Sequence, residues 1–245
     1  MKIKAIKTRV INPPQDNIYD ILDKLGEDLK EKDIIFITSK ILAIHQGKCQ
    51  EIKELDNIEE KDELVKKEAE LFIPRQSYVE HSVNLTIKYN TLIPNAGIDE
   101  SNSNGYYVLW PENPEKEAEK ICKYLKDKFN IKDLAVLITD SHTTPLRYGV
   151  IGISMGFYGM KPFKSYIGTE DIFGRELQMS RVNIVDSLSV SAVLAMGEGA
   201  EQTPIAIISD CEYAEFTNKP AYNELNIPLE EDIYYPLIKQ FHNDK

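Results

Sequence analysis

The chain has little of what marks several large classes of proteins. It has only three cysteines, Cys49, Cys122 and Cys211, which are far apart and odd in number. This usage argues against a disulfide framework and predicts reduced thiols in a cytoplasmic protein. No apolar run approaches the length of a membrane span, and the basic N-terminal segment lacks the continuous apolar stretch of a signal peptide. We therefore expect a soluble protein with no membrane partner.

Basic residues are in a minority. The chain has 29 lysines and arginines against 40 aspartates and glutamates, which gives a net charge of −11. Nucleic acid is excluded as a partner because binding a phosphate backbone needs a basic face. A small anion such as a nucleotide remains compatible, provided that local cationic side chains or metal ions offset the acidic background.

Several catalytic motifs are also absent. No Gly-Lys-Ser/Thr sequence completes a Walker loop, and no dinucleotide-binding fingerprint is present. The chain has no Cys/His set with zinc-ligand spacing and no persuasive Ser-His-Asp order. These absences leave oxygen ligands and backbone amides as the available chemistry.

The 245 residues, 42% of them hydrophobic, can form one large or two small domains with a sizeable core. Apolar and alternating runs predict strands over 2–11, 33–38, 81–90, 134–139 and 205–208. Helical spacing predicts helices over 16–29, capped by Asp16, over 114–128, and over 183–196, ending at Gly197. The charge-rich segment 49–69 indicates a solvated helix face. Mixed elements of this kind predict an α/β or α+β architecture.

The most informative segment is 134–149, with the sequence LAVLITDSHTTPLRYG. Its apolar run predicts a buried strand that stops at Thr139, where Asp140 and Ser141 offer oxygen ligands for Mg²⁺ or Mn²⁺. The alternative is that Asp140 only caps the next element. Arg147 offers a fixed fork for a phosphate or a carboxylate. His142 is a possible acid or base, although a loop histidine is more often only a hydrogen-bonding group.

Two further loops carry similar groups. In NAGIDESN (95–102), Asp99 and Glu100 are either cation ligands or members of an Asx-turn. In MGEGAEQTP (196–204), glycines allow backbone amides to approach a phosphate, and Glu198 or Glu201 could complete a metal site. The alternative for the second loop is a plain helix stop. Together the three loops predict a metal-dependent enzyme that handles a phosphorylated ligand.

Four of these segments carry a family resemblance. NAGIDESN, ITDSHTTPLRYG, the stretch from Tyr166-Ile167-Gly168 through DIFGRELQ (171–178), and VLAMGEGAEQTPIAII (193–208) resemble the coenzyme F420-0:L-glutamate ligase family of γ-glutamyl ligases. The segment TSKILAIHQGK (38–48) resembles its N-terminal nucleotide-binding segment. The resemblance implies one catalytic domain over 1–245, an intertwined α/β homodimer with sites at the subunit junction, and the use of GTP and two divalent cations to form a γ-glutamyl amide.

The resemblance also implies roles for individual residues. Asp99 and Asp140 would hold the first metal, and Ser141, where Thr is expected, would hold the second with Glu198. The nucleotide would contact Ser39, Lys40, Asn102 and the loop 196–203, which includes Met196, Gly197, Gly199 and Thr203. Independently of the resemblance, the chemistry makes Arg147 and Arg175 candidates for clamping phosphate or the incoming glutamate, and Asp140 and Arg147 are the predicted catalytic residues.

The chain departs from the family pattern at two places. Ile44 stands where a second nucleotide-facing lysine is expected, and His142-Thr143-Thr144 replaces an expected Phe-Gly-Arg. These departures leave GTP or ATP open, and they favour the branch proposed to add L-glutamate to a folate or dihydropteroate. The deazaflavin coenzyme F420-0 is the alternative acceptor. An inactive nucleotide- or metal-binding regulator and a metal-dependent phosphohydrolase are the remaining alternatives.

Three aromatic residues lie beside the first acidic loop. Tyr106, Tyr107 and Trp110 suit either a subunit interface, if they are exposed, or simple core packing. The sequence does not decide between the two.

Overall fold

A computed structural model describes residues 1–54, 57–75 and 83–242. The strands are β1 (Lys2–Ile6), β2 (Asp33–Thr38), β3 (Cys49–Glu51), β4 (Leu71–Ile73), β5 (Leu85–Lys88), β6 (Thr91–Pro94), β7 (Tyr106–Val108), β8 (Leu134–Thr143), β9 (Val150–Tyr158), β10 (Phe163–Ser165), β11 (Arg181–Asn183) and β12 (Ile205–Ser209). The α-helices are α1 (Tyr19–Leu22), α2 (Ser39–His45), α3 (Ile58–Glu68), α4 (Pro114–Phe129), α5 (Ile184–Met196) and α6 (Tyr235–Ile238).

The central sheet has five strands in the order β1-β12-β2-β8-β9. Only β2 and β8 run parallel, and the other neighbours are antiparallel, so the sheet is mixed. Alternate residues of β8 enter two different cores. Val136 and Ile138 pack with α4 on one face, and Ala135 and Leu137 pack with α5 on the other. Helices on both faces of a mixed sheet confirm the predicted mixed α/β class.

Most long elements agree with the sequence predictions. The predicted strand 33–38 is β2, and the predicted strand 205–208 is β12 with one added residue. The predicted helix 114–128 is α4, which continues to Phe129. Asn183 caps α5 by accepting a hydrogen bond from the Asp186 amide at 3.0 Å, and Gly197 ends that helix as expected. The thiols of all three cysteines are free.

The prediction for the first 30 residues was wrong in two respects. The first strand ends at Ile6, not at residue 11, and the predicted helix 16–29 is only the short α1 followed by a 3₁₀ turn over Asp23–Glu27. Asp16 does not cap a helix, because its carboxylate accepts hydrogen bonds from the Arg9 guanidinium (2.6 and 2.7 Å). It also accepts from the backbone amide of Asn12 at 2.9 Å. These hydrogen bonds hold the Asp16 side chain in the loop between β1 and α1.

Two middle elements are shorter than predicted. Within 49–69, a short strand comes first, and the helix begins only at Ile58, after an Asn57 cap that accepts from the Glu60 amide at 3.0 Å. The predicted strand 81–90 is β5, Leu85–Lys88, because the turn at Tyr89-Asn90 has positive φ. Residues 81–82 of that prediction, and residues 55–56 of the charge-rich segment, lie outside the described residues.

Strand β8 is longer than predicted, and this changes the setting of the acidic segment. The strand does not stop at Thr139: its pairing with β9 continues to Thr143, opposite Val150, after a register shift between Ile138 and Thr139. Asp140 and Ser141 therefore lie on a paired strand and not in a loop. Gly152 of β9 allows the strand to pack closely against α5, since a Cβ there would lie 2.4 Å from the Ser189 carbonyl oxygen.

None of the helices in the described ranges is long and apolar enough to cross a membrane.

Candidate functional site

A cavity of about 670 Å³ opens at the carboxyl end of β2, beside Thr139, Asp140 and Ser141 of β8. Because these strands are parallel neighbours, with Thr38 opposite Thr139, the residues that follow each of those positions lie side by side. The Ser39 hydroxyl is 3.0 Å from Asp140 Oδ2. Carboxyl ends of parallel strands are common ligand-binding positions in α/β proteins.

Asp140 is held by three hydrogen-bond donors. The Ser39 hydroxyl and the Trp110 indole N–H both donate to Oδ2, and the Ser141 amide donates to Oδ1 at 2.7 Å. Burial raises the pKa of Asp140 to about 6, and the nearby charge of Asp99 acts in the same direction. The three donors lower this pKa but do not offset the burial. A desolvated carboxylate of this kind gains from a cation beside it.

Asp99 already has a cation beside it. Lys40 Nζ lies 2.6 Å from Asp99 Oδ2 and donates to the Ser101 carbonyl at 2.7 Å. Burial acts to raise the pKa of Asp99, but Lys40 and the Ser101 donors outweigh it and hold that pKa below its ordinary value. The predicted Asx-turn is present, because Asp99 Oδ1 accepts from the Ser101 amide at 2.7 Å. Asp99 thus combines the turn with a place on the cavity wall.

The loop 196–203 closes the cavity through two cross-contacts. Ser141 donates to Glu198 Oε2 at 3.0 Å, and Asn102 donates to the Gly199 carbonyl at 3.0 Å. These bonds join the loop to two segments that lie 57 and 97 residues away in the chain. Gly197 has a positive φ of 80°, which a glycine adopts without strain.

The residues that the resemblance assigned to the metals and the nucleotide all line this cavity. They are Ser39, Lys40, Asp99, Asn102, Asp140, Ser141, Met196, Gly197, Glu198, Gly199 and Thr203. Arg147 lies at the exposed tip of the β8–β9 hairpin, and Arg175 is exposed between β10 and β11. His142 continues β8 beyond the residues that line the cavity, and burial lowers its pKa. Ile44 lines the cavity as a buried apolar wall where a lysine was expected.

The donor set fits Mg²⁺ or Mn²⁺ when a phosphate completes the coordination. In 1–54, 57–75 and 83–242, no three His, Cys, Asp or Glu side chains converge on one point as a metal cage. The oxygen donors on the cavity wall lie instead as two small sets, Asp99 with Asp140 and Ser141 with Glu198. Mg²⁺ is usually bound by one or two carboxylates, water and substrate phosphates, and such small sets suit it.

No sequence motif identified Trp110 or Gly97 as a site residue, although both line the cavity. Trp110 and Tyr107 are buried, so the interface interpretation was wrong for both and the core interpretation is confirmed, while Tyr106 is half-buried. Trp110 does more than pack in the core, since its indole N–H donates a hydrogen bond to Asp140. Gly97 makes room for the indole. The glycine two residues before Asp99 was the available signal in the sequence.

Comparison with known proteins agrees with the fold and the site on one class, the γ-glutamyl ligases. Residues 5–210 match the family model described as F420-0:Gamma-glutamyl ligase. The chain is 36% identical over 227 residues to "Coenzyme F420:L-glutamate ligase" of Methanosarcina mazei, which covers 87% of this chain and 88% of the relative. The protein of the same name from Methanothermobacter thermautotrophicus is 29% identical over 229 residues, covering 89% and 90% of the two chains.

The chain therefore belongs to the F420-0:gamma-glutamyl ligase family. It is an enzyme of the acid–amino-acid ligase class.

Proposed function

We propose that this enzyme, as a γ-glutamyl ligase, uses a nucleoside triphosphate and two Mg²⁺ or Mn²⁺ ions to join the amine of L-glutamate to a carboxylate acceptor in an amide bond. The observation that carries the proposal is the convergence of the segments around Lys40, Asp99, Asp140 and Glu198 on one cavity. The cavity presents a lysine, carboxylates and glycine-rich backbone together. This combination suits an anionic phosphate chain with its cations.

The reaction needs activation because hydroxide is too poor a leaving group for amide formation. An oxygen of the acceptor carboxylate forms a bond to the γ-phosphorus, the bond from that phosphorus to the bridging oxygen breaks, and the nucleoside diphosphate leaves. The amine then attacks the acyl carbon of the acyl phosphate, inorganic phosphate leaves with the bonding pair, and the amine gives up a proton. Catalysis of such steps is mostly positioning and neutralisation of charge.

The chain supplies both functions. Bound cations would neutralise the phosphate charge, and their ligands would be Asp99 with Asp140, and Ser141 with Glu198. Lys40 lies against Asp99, so its ammonium is already at the wall where the phosphates would sit. The backbone amides of 196–203 offer further donors, as loops rich in glycine do in other phosphate sites.

The acceptor that we propose is the deazaflavin coenzyme F420-0. The relatives from Methanosarcina mazei and Methanothermobacter thermautotrophicus are named for coenzyme F420, and this favours F420-0 over a folate, although the departures from the family pattern favoured the folate. Nothing in the cavity described here favours a folate. The nucleotide is GTP or ATP, and the loss of a cation at Ile44 bears on that choice.

A single assay tests the proposal. The protein is incubated with F420-0, a folate or a dihydropteroate, together with radiolabelled L-glutamate, Mg²⁺ or Mn²⁺, and GTP or ATP. We expect glutamate to be incorporated into F420-0 only when nucleotide and metal are both present. Incorporation into the folate and not into F420-0 would overturn the acceptor assignment. Nucleotide-dependent thermal stabilisation without turnover would identify a regulator, and phosphate release without glutamate or acceptor would identify a phosphohydrolase.

We also propose that two copies of the chain associate. The hairpin tip exposes Leu146 and Tyr148 completely, and Ile172 and Phe173 between β10 and β11 are 92% and 88% exposed. Large apolar side chains on protruding segments are typical of a protein interface. Arg147 and Arg175 lie on the same two protrusions. A homodimer in which these protrusions reach the partner would cover the apolar groups and bring arginines to a subunit junction.

Leu146→Asp should convert this dimer to a monomer, because a buried carboxylate without a partner destabilises an interface. Sedimentation equilibrium at micromolar concentration should give the mass of two chains for the wild type and of one chain for the variant. Ile58→Asp is the matched control, since Ile58 is exposed on α3 and the wild-type mass should persist. A wild-type protein with the mass of one chain would refute the dimer.

A further inference from the structure

Trp110 is the only tryptophan of the chain, and it lies at the wall of the cavity. The side chain is buried, with 2% of its surface exposed, among Ile93 and Met155. Its ring lies nearly parallel to that of Tyr89, with 6.3 Å between centroids and 14° between planes. Although these neighbours are largely apolar, the indole N–H has a polar partner: it donates a hydrogen bond to Oδ2 of Asp140. A buried indole usually needs such an acceptor.

Gly97 is the residue that permits this placement. Its φ is +72°, and a Cβ at this position would lie 2.1 Å from Trp110 Nε1. Any other residue would therefore displace the ring or the loop that carries Asp99. The 95–102 loop thus carries the carboxylate of Asp99 and, at Gly97, leaves the space that the indole ring occupies.

The hydrogen bonds to Asp140 are unequal between its two oxygens. Oδ2 accepts from both Trp110 and Ser39, whereas among the residues that the structure describes Oδ1 accepts only from the Ser141 amide. A carboxylate has about four lone-pair sites, two on each oxygen. The donors therefore occupy both sites of Oδ2 and leave one site of Oδ1. A cation that binds Asp140 would meet a single available oxygen.

We propose that Trp110 is a positioning residue that, with Ser39, saturates Oδ2 of Asp140 and makes the carboxylate a one-oxygen ligand through Oδ1. This inference rests on the proposed function, because it assumes that Asp140 binds a divalent cation. Hydrogen bonds from outside the coordination shell orient metal ligands and commonly change metal affinity by one to two orders of magnitude. The same bond makes the single indole a direct reporter of the cation site.

The first test replaces the indole N–H without changing the shape of the ring. Because the chain has one tryptophan, β-(3-benzothienyl)alanine can be incorporated at residue 110 alone by growth in a tryptophan auxotroph. Mn²⁺ binding in the presence of ATP or GTP is measured by electron paramagnetic resonance. We expect the dissociation constant for Mn²⁺ to rise about tenfold, with the melting temperature little changed. Gly97→Ala should weaken Mn²⁺ binding in the same direction by displacing the ring.

The second test uses the wild-type protein and no variant. The indole N–H gives one side-chain cross-peak in a ¹H–¹⁵N spectrum, and titration with Mg²⁺ and nucleotide should shift it as charge is withdrawn from Asp140. The positioning role would be overturned if the Mn²⁺ dissociation constant were unchanged in the benzothienyl protein. It would also be overturned if the chemical shift of the indole peak did not change at saturating Mg²⁺. If the wild type binds no Mn²⁺ with either nucleotide, the proposed function and this inference fail together.

Discussion

Asp140→Asn should abolish ligase activity and, near neutral pH, make the protein without metal or nucleotide more stable. The two effects have one cause, which is that the site holds a desolvated carboxylate for a cation. Loss of the negative charge removes a metal ligand and should lower kcat by about a hundredfold or more. The fold should survive, because asparagine has nearly the same shape as aspartate and can still accept from Ser39 and Trp110.

The stability effect follows from the raised pKa of Asp140, about 6 in the folded state against an ordinary value of roughly 4. The folded protein binds this proton more tightly than the unfolded chain does. The free energy of unfolding therefore falls as pH rises from about 4 to 6, and the loss is complete above that range. Two pKa units correspond to about 3 kcal/mol, from which about 1 kcal/mol is deducted for poorer hydrogen bonding by the amide.

Urea unfolding across pH measures this directly. Asp140→Asn should exceed the wild type by about 2 kcal/mol near neutral pH, and below about pH 4, where the wild-type carboxyl is protonated, the variant should be about 1 kcal/mol less stable than the wild type. Asp99→Asn is the matched control with the opposite sign. Its pKa is lowered by Lys40, so the wild-type carboxylate contributes stability above its unfolded pKa that is lost as pH falls. Lower stability of Asp140→Asn at every pH would contradict the raised pKa.

Lys40→Met should lower kcat/KM for the nucleotide by about a hundredfold or more. An ammonium at a phosphate site stabilises charge that develops during phosphoryl transfer, and removing such a group commonly costs two to three orders of magnitude. The variant should also raise the pKa of Asp99, because Lys40 is the cation that lowers it. Steady-state kinetics with each nucleotide provide the first measurement, and a ¹³C titration of labelled aspartate provides the second.

Lys61→Met is the control for a general loss of positive charge. Lys61 pairs with Glu100 at 2.9 Å, next to Asp99 in sequence, but it does not line the cavity. We expect its kcat/KM to stay within about threefold of the wild type, because exposed or partly exposed ion pairs are worth about 0–1 kcal/mol. Equal losses in the two variants would assign the effect to the overall electrostatic field and not to Lys40.

Strand β8 shows where local pattern is a sufficient guide and where it is not. The apolar run from Leu134 identifies a strand because its side chains enter both cores. The polar residues after Thr139 suggested a loop, but their backbone stays paired with β9 as far as Val150. Backbone hydrogen bonds to a neighbouring strand do not depend on side-chain polarity, so the hydropathy pattern could not reveal this extension.

The short first helix illustrates the converse case. Apolar spacing over 16–29 suggested a long helix, but Arg9 engages Asp16 and holds it in the preceding loop. The helical segment that remains is α1 and a 3₁₀ turn around Gly26, whose missing Cβ accommodates the Phe129 ring of α4. Helix propensity was overridden by an ion pair with a residue seven positions earlier and by packing.

The sequence by itself determined the class of fold, the long elements and the family to which the chain belongs, because these depend on local periodicity, caps and motif order. It also indicated the oxygen-rich residues that line the cavity. The tertiary structure alone decided that Arg147 lies outside that cavity and that Trp110 donates to Asp140. Such bonds join residues from different elements, and no local pattern encodes which atoms will meet when the sheet and the loops assemble.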